Sequence, residues 1–371
     1  MTVWAVEDSA VQLAWGQLPA GTLTATATVG DEIVASTTME HAGGPGVLDL
    51  NGLASEATHR IAINHAGGSV ERTATTPAAP PGRELFRFAT ISDLHLGSDH
   101  FGFFKQMVDN GDHLEPFAVR SARAAIEAAQ AWGAQHLVIK GDAAHHGRAA
   151  DFALVGDLVD GFPDVPMSLL PGNHDTDLRE QSLPTTIGRR ALPFEQGVSF
   201  LDLPGIRLVL GDTTLAGEGP GTLRHIGDDL VDAAADAASD RGVFIAVHQQ
   251  LQRTDPVRYW PPGIPRAEVE PFLDKLDAAR PRAMVTSGHT HRNRARTHRS
   301  VLITEVAATH HWPGVWAGYV VYEGGIQQVV RRIGAADIID WHEYSKNAVV
   351  SIWQRYAPGR LDDRCINHRW A

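Results

Sequence analysis

Leu85-Phe-Arg-Phe-Ala-Thr-Ile91, followed at once by Ser-Asp93-Leu-His95-Leu-Gly97, is the stretch on which the fold turns. Its first seven residues read as a strand, and the next six replace apolar character with a carboxylate, an imidazole and a glycine. Two later segments repeat the arrangement. His136-Leu-Val-Ile-Lys140 runs into Gly141-Asp142, and Val165-Pro-Met-Ser-Leu-Leu170 runs into Pro171-Gly-Asn173-His174-Asp175. Between these strands, Pro116 to Trp132 and Ala149 to Val159 carry helical patterns. Strand–helix alternation predicts a layered α/β domain. Helices are expected at 225–239 and 266–279, and strands at 206–210, 243–247, 283–286, 301–306, 319–322 and 327–332. The last strands follow one another without helices, which points to a mixed sheet or a second sheet.

Working outward, residues 1–76 alternate with period two, as in Thr22-Leu-Thr-Ala-Thr-Ala-Thr-Val29 and Arg60-Ile-Ala-Ile-Asn64. Such short amphipathic strands, broken by Gly and Pro, predict a small all-β sandwich. Residues 77–83 hold three prolines and a glycine, a stiff connector. The catalytic domain is expected over 84–334, with an aromatic-rich extension over 335–371 carrying Trp341, Trp353 and Trp370. That extension reads as a packing element rather than as chemistry. It and the sandwich are the surfaces expected to carry any homo-oligomer contact.

The chain has 371 residues and a formal charge of -12, which argues against sequence-independent nucleic-acid binding. Its single cysteine, Cys365, permits no internal disulfide. The first residues lack the basic and apolar regions of a signal peptide, and no apolar run is long enough to span a membrane. A cytoplasmic location is the expectation that follows.

Nineteen histidines stand out. Five strand ends each present a hard oxygen donor or an imidazole: Asp93 and His95, Asp142, Asn173, His248, and His289 with His291. In α/β sheets ligands bind beyond the carboxyl ends of strands, and oxygen donors with imidazoles suit divalent transition ions. Asp93 and His95, like His289 and His291, are two apart and are expected to leave an extended strand on one side. Seven ligands exceed what one ion with open positions takes, and fit two ions sharing a carboxylate.

Asp93-x-His95, Gly141-Asp142, Gly172-Asn-His-Asp175, His248 and Gly288-His-x-His291, in this order, resemble the calcineurin-like metallophosphoesterases. The resemblance implies a four-layer α/β/β/α sandwich of two mixed sheets. It implies that Asp93, His95, Asp142 and His291 hold one metal and that Asp142, Asn173, His248 and His289 hold the other, with Asp142 bridging. Two divalent transition ions are expected, and sites of oxygen and nitrogen donors accept Mn, Fe, Zn or Co. A hydroxide shared between them would attack a small phosphoester, with Asp142 and Asn173 in the catalytic set. His174 would face the phosphate, either stabilising charge or protonating the leaving oxygen. Where purple acid phosphatases place a tyrosine, three residues after Asp142, this chain has His145, so a purple Fe(III) site is not expected. His145 and Asp175 are candidates for supporting the ligands from behind. Gln249 follows His248 where cyclic-nucleotide relatives often carry a second histidine. The N-terminal region resembles a fibronectin type III-like module, with Trp15 in its core.

Arg253, Arg258 and Trp260, in the loop after His248, and His311, after a later strand, are the candidate substrate contacts. Loop 97–115 is a candidate lid. The expected activity is hydrolysis of a phosphodiester of cyclic-nucleotide-like kind. The alternatives are a phosphomonoesterase acting on nucleotide or sugar phosphates, and a binding protein with a vestigial metal site.

Overall fold

The structure is a computed structural model that describes residues 1–102, 107–109, 115–177, 182–254 and 261–370. Its centre is two six-stranded sheets packed face to face. The first runs Met167–Leu170, Leu137–Lys140, Glu84–Ile91, Val315–Tyr322, Gly325–Arg332 and Cys365–Arg369; the second runs Val198–Leu203, Ile206–Gly211, Gly242–Val247, Met284–Ser287, Val301–Glu305 and Arg294–His298. Both are mixed, because each joins parallel neighbours to antiparallel ones.

The layering follows from side-chain alternation along single strands. Phe86 and Phe88 point between the sheets, where Phe88 meets Phe244 and stacks on Tyr319, while Ala89 and Ile91 point outward beneath the helices. In the second sheet, Leu208 and Leu210 face inward and Val209 faces the outer helices. Phe117–Ala131 and Ala149–Asp160 cover the first sheet, and Gly227–Ala235 and Arg266–Ala279 cover the second. The result is the α/β/β/α sandwich. Each fully buried large side chain contributes about 1.5–3 kcal/mol relative to exposure, so both apolar faces of every central strand stabilise it.

Residues 2–75 form two antiparallel sheets of three and four strands around Leu13, Trp15, Leu23, Leu50 and Ile61. This module is docked rather than merely tethered by the proline run. Trp4 enters the core between the large sheets, Gln12 exchanges hydrogen bonds with the Arg332 backbone, and Arg331 pairs with Glu7 and Asp49. The C-terminal residues are likewise part of the fold: Cys365–Arg369 is the sixth strand of the first sheet, and Trp341 stacks on Phe117 with ring centroids 4.0 Å apart.

His136, immediately before the strand Leu137–Lys140, is buried with Nε2 2.9 Å from Ser168 Oγ, and burial pushes its pKa from 6.5 down to about 4. The unfolded chain therefore takes up a proton that the folded chain refuses between these values. Stability from this group is fully present above about pH 6.5 and falls as pH drops toward 4, by up to roughly 3 kcal/mol. In denaturant titrations, wild type is expected to lose about 2 kcal/mol more than His136→Gln between pH 7.5 and pH 5. Equal losses would remove His136 as the cause.

Candidate metal centre

Asp93, Asp142, Asn173, His248 and His289 follow five strands whose carboxyl ends converge from the two sheets. Lys140 ties these ends together. Its buried ammonium donates to Thr286 Oγ1 at 3.1 Å and to the Ser287 carbonyl at 2.9 Å, across from one sheet to the other, and burial pushes its pKa down to about 7.

The pairs at 93/95 and 289/291 do not use strand alternation, contrary to the expectation from their spacing. The strands end at Ile91 and Ser287. Asp93, His95, Asp142, His289 and His291 all have φ between 49° and 66°. Non-glycine residues held in this left-handed region cost on the order of 1–3 kcal/mol each, and surrounding structure must over-determine them. Here it does. The N–H groups of Asp93 and His95 bond to the carbonyls of Gly141 and Asp142, and the N–H of His289 bonds to the Asp93 carboxylate. Gly141 makes this close approach possible: a Cβ there would lie 2.6 Å from His248 Nδ1 and 2.7 Å from the Gly172 nitrogen.

Two groups of donor atoms result. Those of Asp93, His95, Asp142 and His291 lie within 4.8 Å of one another, and so do those of Asp142, His248 and His289. Asp142 belongs to both. His248 donates from Nδ1 to the Lys140 carbonyl at 2.8 Å, leaving Nε2 toward the site, 3.1 Å from Asp142 Oδ2 and outside hydrogen-bonding geometry. His289 donates from Nε2 to the Pro262 carbonyl at 3.1 Å, which leaves Nδ1 as its ligand atom. Among the described residues, His95 Nε2, His248 Nε2 and Asn173 Oδ1 are buried with no hydrogen-bond partner. Leaving such an atom unpaired costs about 1–3 kcal/mol. Three buried donor atoms without partners beside a shared carboxylate are the chemistry of a cation site, so the residues present fit two divalent ions.

The charges agree. Burial pushes Asp93 and Asp142 up, but the imidazoles facing them outweigh it: His291 holds Asp93 at about 2, and His248 and His174 hold Asp142 well below the carboxylate range. Burial keeps His289 at about 3 and His95 well below its ordinary value, so both are neutral donors.

Behind the ligands stands a second ring of contacts. Asp175 is buried and accepts the N–H groups of Ala143, Ala144 and Gly172, pinning the two loops that carry Asp142 and Asn173. His145 Nδ1 lies 3.2 Å from His95 Nδ1. His310 donates to the Asp93 carbonyl at 2.6 Å. His311 is fully buried rather than placed on the pocket wall where a substrate contact would stand. Its Nδ1 lies 2.8 Å from the Trp312 carbonyl and 3.3 Å from Trp353 Nε1, its Nε2 lies 2.7 Å from His291 Nδ1, and His291 Nε2 stands 3.2 Å from Asp93 Oδ1.

His174 is half-buried. Its backbone N–H donates to Asp142 Oδ1 at 2.8 Å, and its Nδ1 donates to the His145 carbonyl at 2.8 Å. Burial lowers its basicity, but Asp142 and Asp177 outweigh this and raise its pKa to about 10. His174 also lies near His95 and His145, and near His146 and Asp177, in arrangements that place imidazole and carboxylate donors together.

Asp142, Asn173, His174, His289 and His291 open onto one cavity of about 890 Å³. Part of its wall comes from the C-terminal extension, through Ile352, Trp353 and Tyr356, a segment whose pattern suggested packing alone. Arg253 is exposed and does not line this cavity. Arg258, Trp260 and residues 103–106 and 110–114 of the candidate lid fall outside the described residues. Another concavity, of about 780 Å³, lies between the N-terminal module and the first sheet and contains none of the candidate residues.

A family model described as calcineurin-like phosphoesterase matches residues 86–293, more than half of the chain, and the chain belongs to that family. No curated protein matches it. Similar solved structures include purple acid phosphatase PPD1 from yellow lupin (Lupinus luteus) seeds, 9% identical over 88% of this chain and 71% of that one, with a TM-score of 0.44. PhoD is 9% identical over 88% and 84%, with a TM-score of 0.43. The phosphopantetheinyl hydrolase of Mycobacterium tuberculosis is 14% identical over 63% and 93%, with a TM-score of 0.34.

Proposed function

We propose that this calcineurin-like phosphoesterase is a two-metal hydrolase of phosphodiesters, cyclic-nucleotide-like esters among them. Asp93, His95, Asp142 and His291 would hold one divalent ion, and Asp142, Asn173, His248 and His289 the other. The observation that carries the reading is the sharing of Asp142 by two donor groups that contain buried, unpartnered ligand atoms. When bound, divalent ions supply Lewis acidity, drawing charge from phosphoryl oxygens and lowering the pKa of water.

The chain's own residues do the rest. Asp175 and the backbone bonds around Asp142 hold the donors in place before substrate arrives, so little reorganisation is needed. His174 is fixed through Nδ1, which leaves Nε2 to hold a proton and pass it to the departing oxygen. Asp177, 3.4 Å from His174 Nδ1, supports the charged ring.

The diester preference is supported by the cavity lining, in which no Arg or Lys stands among the described residues. Beyond His174, a monoester dianion would meet no cationic side chain among the described lining residues, whereas a diester carries one negative charge for His174 and the metals to meet. Metal-loaded protein is expected to hydrolyse bis(p-nitrophenyl) phosphate with a kcat/KM at least about tenfold above that for p-nitrophenyl phosphate, a difference of about 1.4 kcal/mol in barrier. The reverse order would favour a phosphomonoesterase. A cytoplasmic location is part of the proposal, supported by the lone thiol Cys365; no described helix is long and apolar enough to cross a membrane.

A further inference from the structure

The cavity beside the metal ligands has a side that phosphoester chemistry does not require. Phe101, Pro261, Pro262, Ile352, Trp353 and Tyr356 make it, from segments far apart in sequence. Trp353 stands edge-on to His291 with centroids 6.2 Å apart, and Tyr356 and Phe101 lie 5.3 Å and 6.0 Å from Trp353. Ile352, 61% exposed, is a large apolar side chain turned to solvent at the same place. One ring therefore separates the metal ligands from a continuous aromatic and aliphatic surface. A group attached to phosphorus through an ester oxygen can reach it within the same cavity.

Resting on the phosphodiester reading, we propose that the second alcohol of the substrate is a large apolar group, aryl or alkyl, received by the Trp353–Tyr356–Ile352 wall. Among the described residues the wall carries no charge to pair with a second phosphate, which sets it against nucleoside polyphosphates and sugar bisphosphates. Apolar contact with an indole and a proline edge rewards area instead. The extension at 335–371 thereby becomes the specificity element of the enzyme.

The test compares methyl p-nitrophenyl phosphate with 1-naphthyl p-nitrophenyl phosphate, on protein with both metal places filled. The naphthyl ester is expected to have a kcat/KM about tenfold or more above the methyl ester. That ratio should fall at least about threefold in Trp353→Ala and about twofold in the exposed Ile352→Ser, which leaves the core untouched. Equal values for the two esters in wild type, or an unchanged ratio in both variants, would overturn the wall. Failure to turn over either ester would overturn the phosphodiester reading instead. Binding of 1-naphthyl and methyl esters of methylphosphonate, read by tryptophan fluorescence, then decides the wall separately: tighter naphthyl binding supports it and equal binding ends it.

Discussion

Asp142→Asn is expected to abolish turnover and to strip metal from both places at once. The carboxylate is buried, belongs to both donor groups, accepts the His174 N–H through Oδ1, and lies with Oδ2 near His248 and His95. Asparagine keeps the size and one acceptor, but it removes the negative charge and can turn an NH₂ toward imidazole lone pairs. Turnover should fall by about a thousandfold or more, the scale on which a pre-placed electrostatic element acts. Bound metal should drop below one ion per chain. The fold should persist, because the Gly141 and Asp142 carbonyls that accept from Asp93 and His95 are backbone groups. Retention of two ions by Asp142→Asn would contradict the shared-carboxylate arrangement.

His174→Ala separates chemistry from coordination. Its Nδ1 is engaged by the His145 carbonyl and its backbone by Asp142, so loss of the ring should leave metal content unchanged. The kcat should fall by about 10²–10⁴, the range of a general acid. The fall should be greater for phenyl than for p-nitrophenyl esters, because a poor leaving oxygen needs the proton more. An equal fall for both leaving groups would make His174 a charge stabiliser rather than an acid. Loss of an ion would make it a ligand, a role for which its neighbours His95 and His145 leave chemical room.

Much of this centre could be read in the chain because each donor is announced locally. A buried strand stops, a glycine permits close approach, and a donor follows, as at Gly141-Asp142, Gly172-Asn173 and Gly288-His289. The backbone geometry could not be read in the same way. Spacing of two suggested strand alternation at Asp93/His95 and His289/His291, whereas left-handed turns stabilised by contacts between distant segments bring them together. The layered fold was legible from alternating apolar runs, since each central strand shows buried residues to both sides. The roles of His311, Trp353 and the strand Cys365–Arg369 were not. Each depends on a partner far along the chain: His291 for the first two and Gly325–Arg332 for the third. No periodicity within their own segments encodes those pairings. Lys140 looked like an ordinary strand end, and only the second sheet's Thr286 and Ser287 reveal why an ammonium is buried there.

The central claim is that one buried carboxylate organises two metal ions, and the metal content of purified, metal-loaded protein tests it most directly. Elemental analysis against quantified protein should give two divalent ions per wild-type chain, with both lost in Asp142→Asn. A wild-type chain that holds one ion or none under saturating conditions would contradict the account.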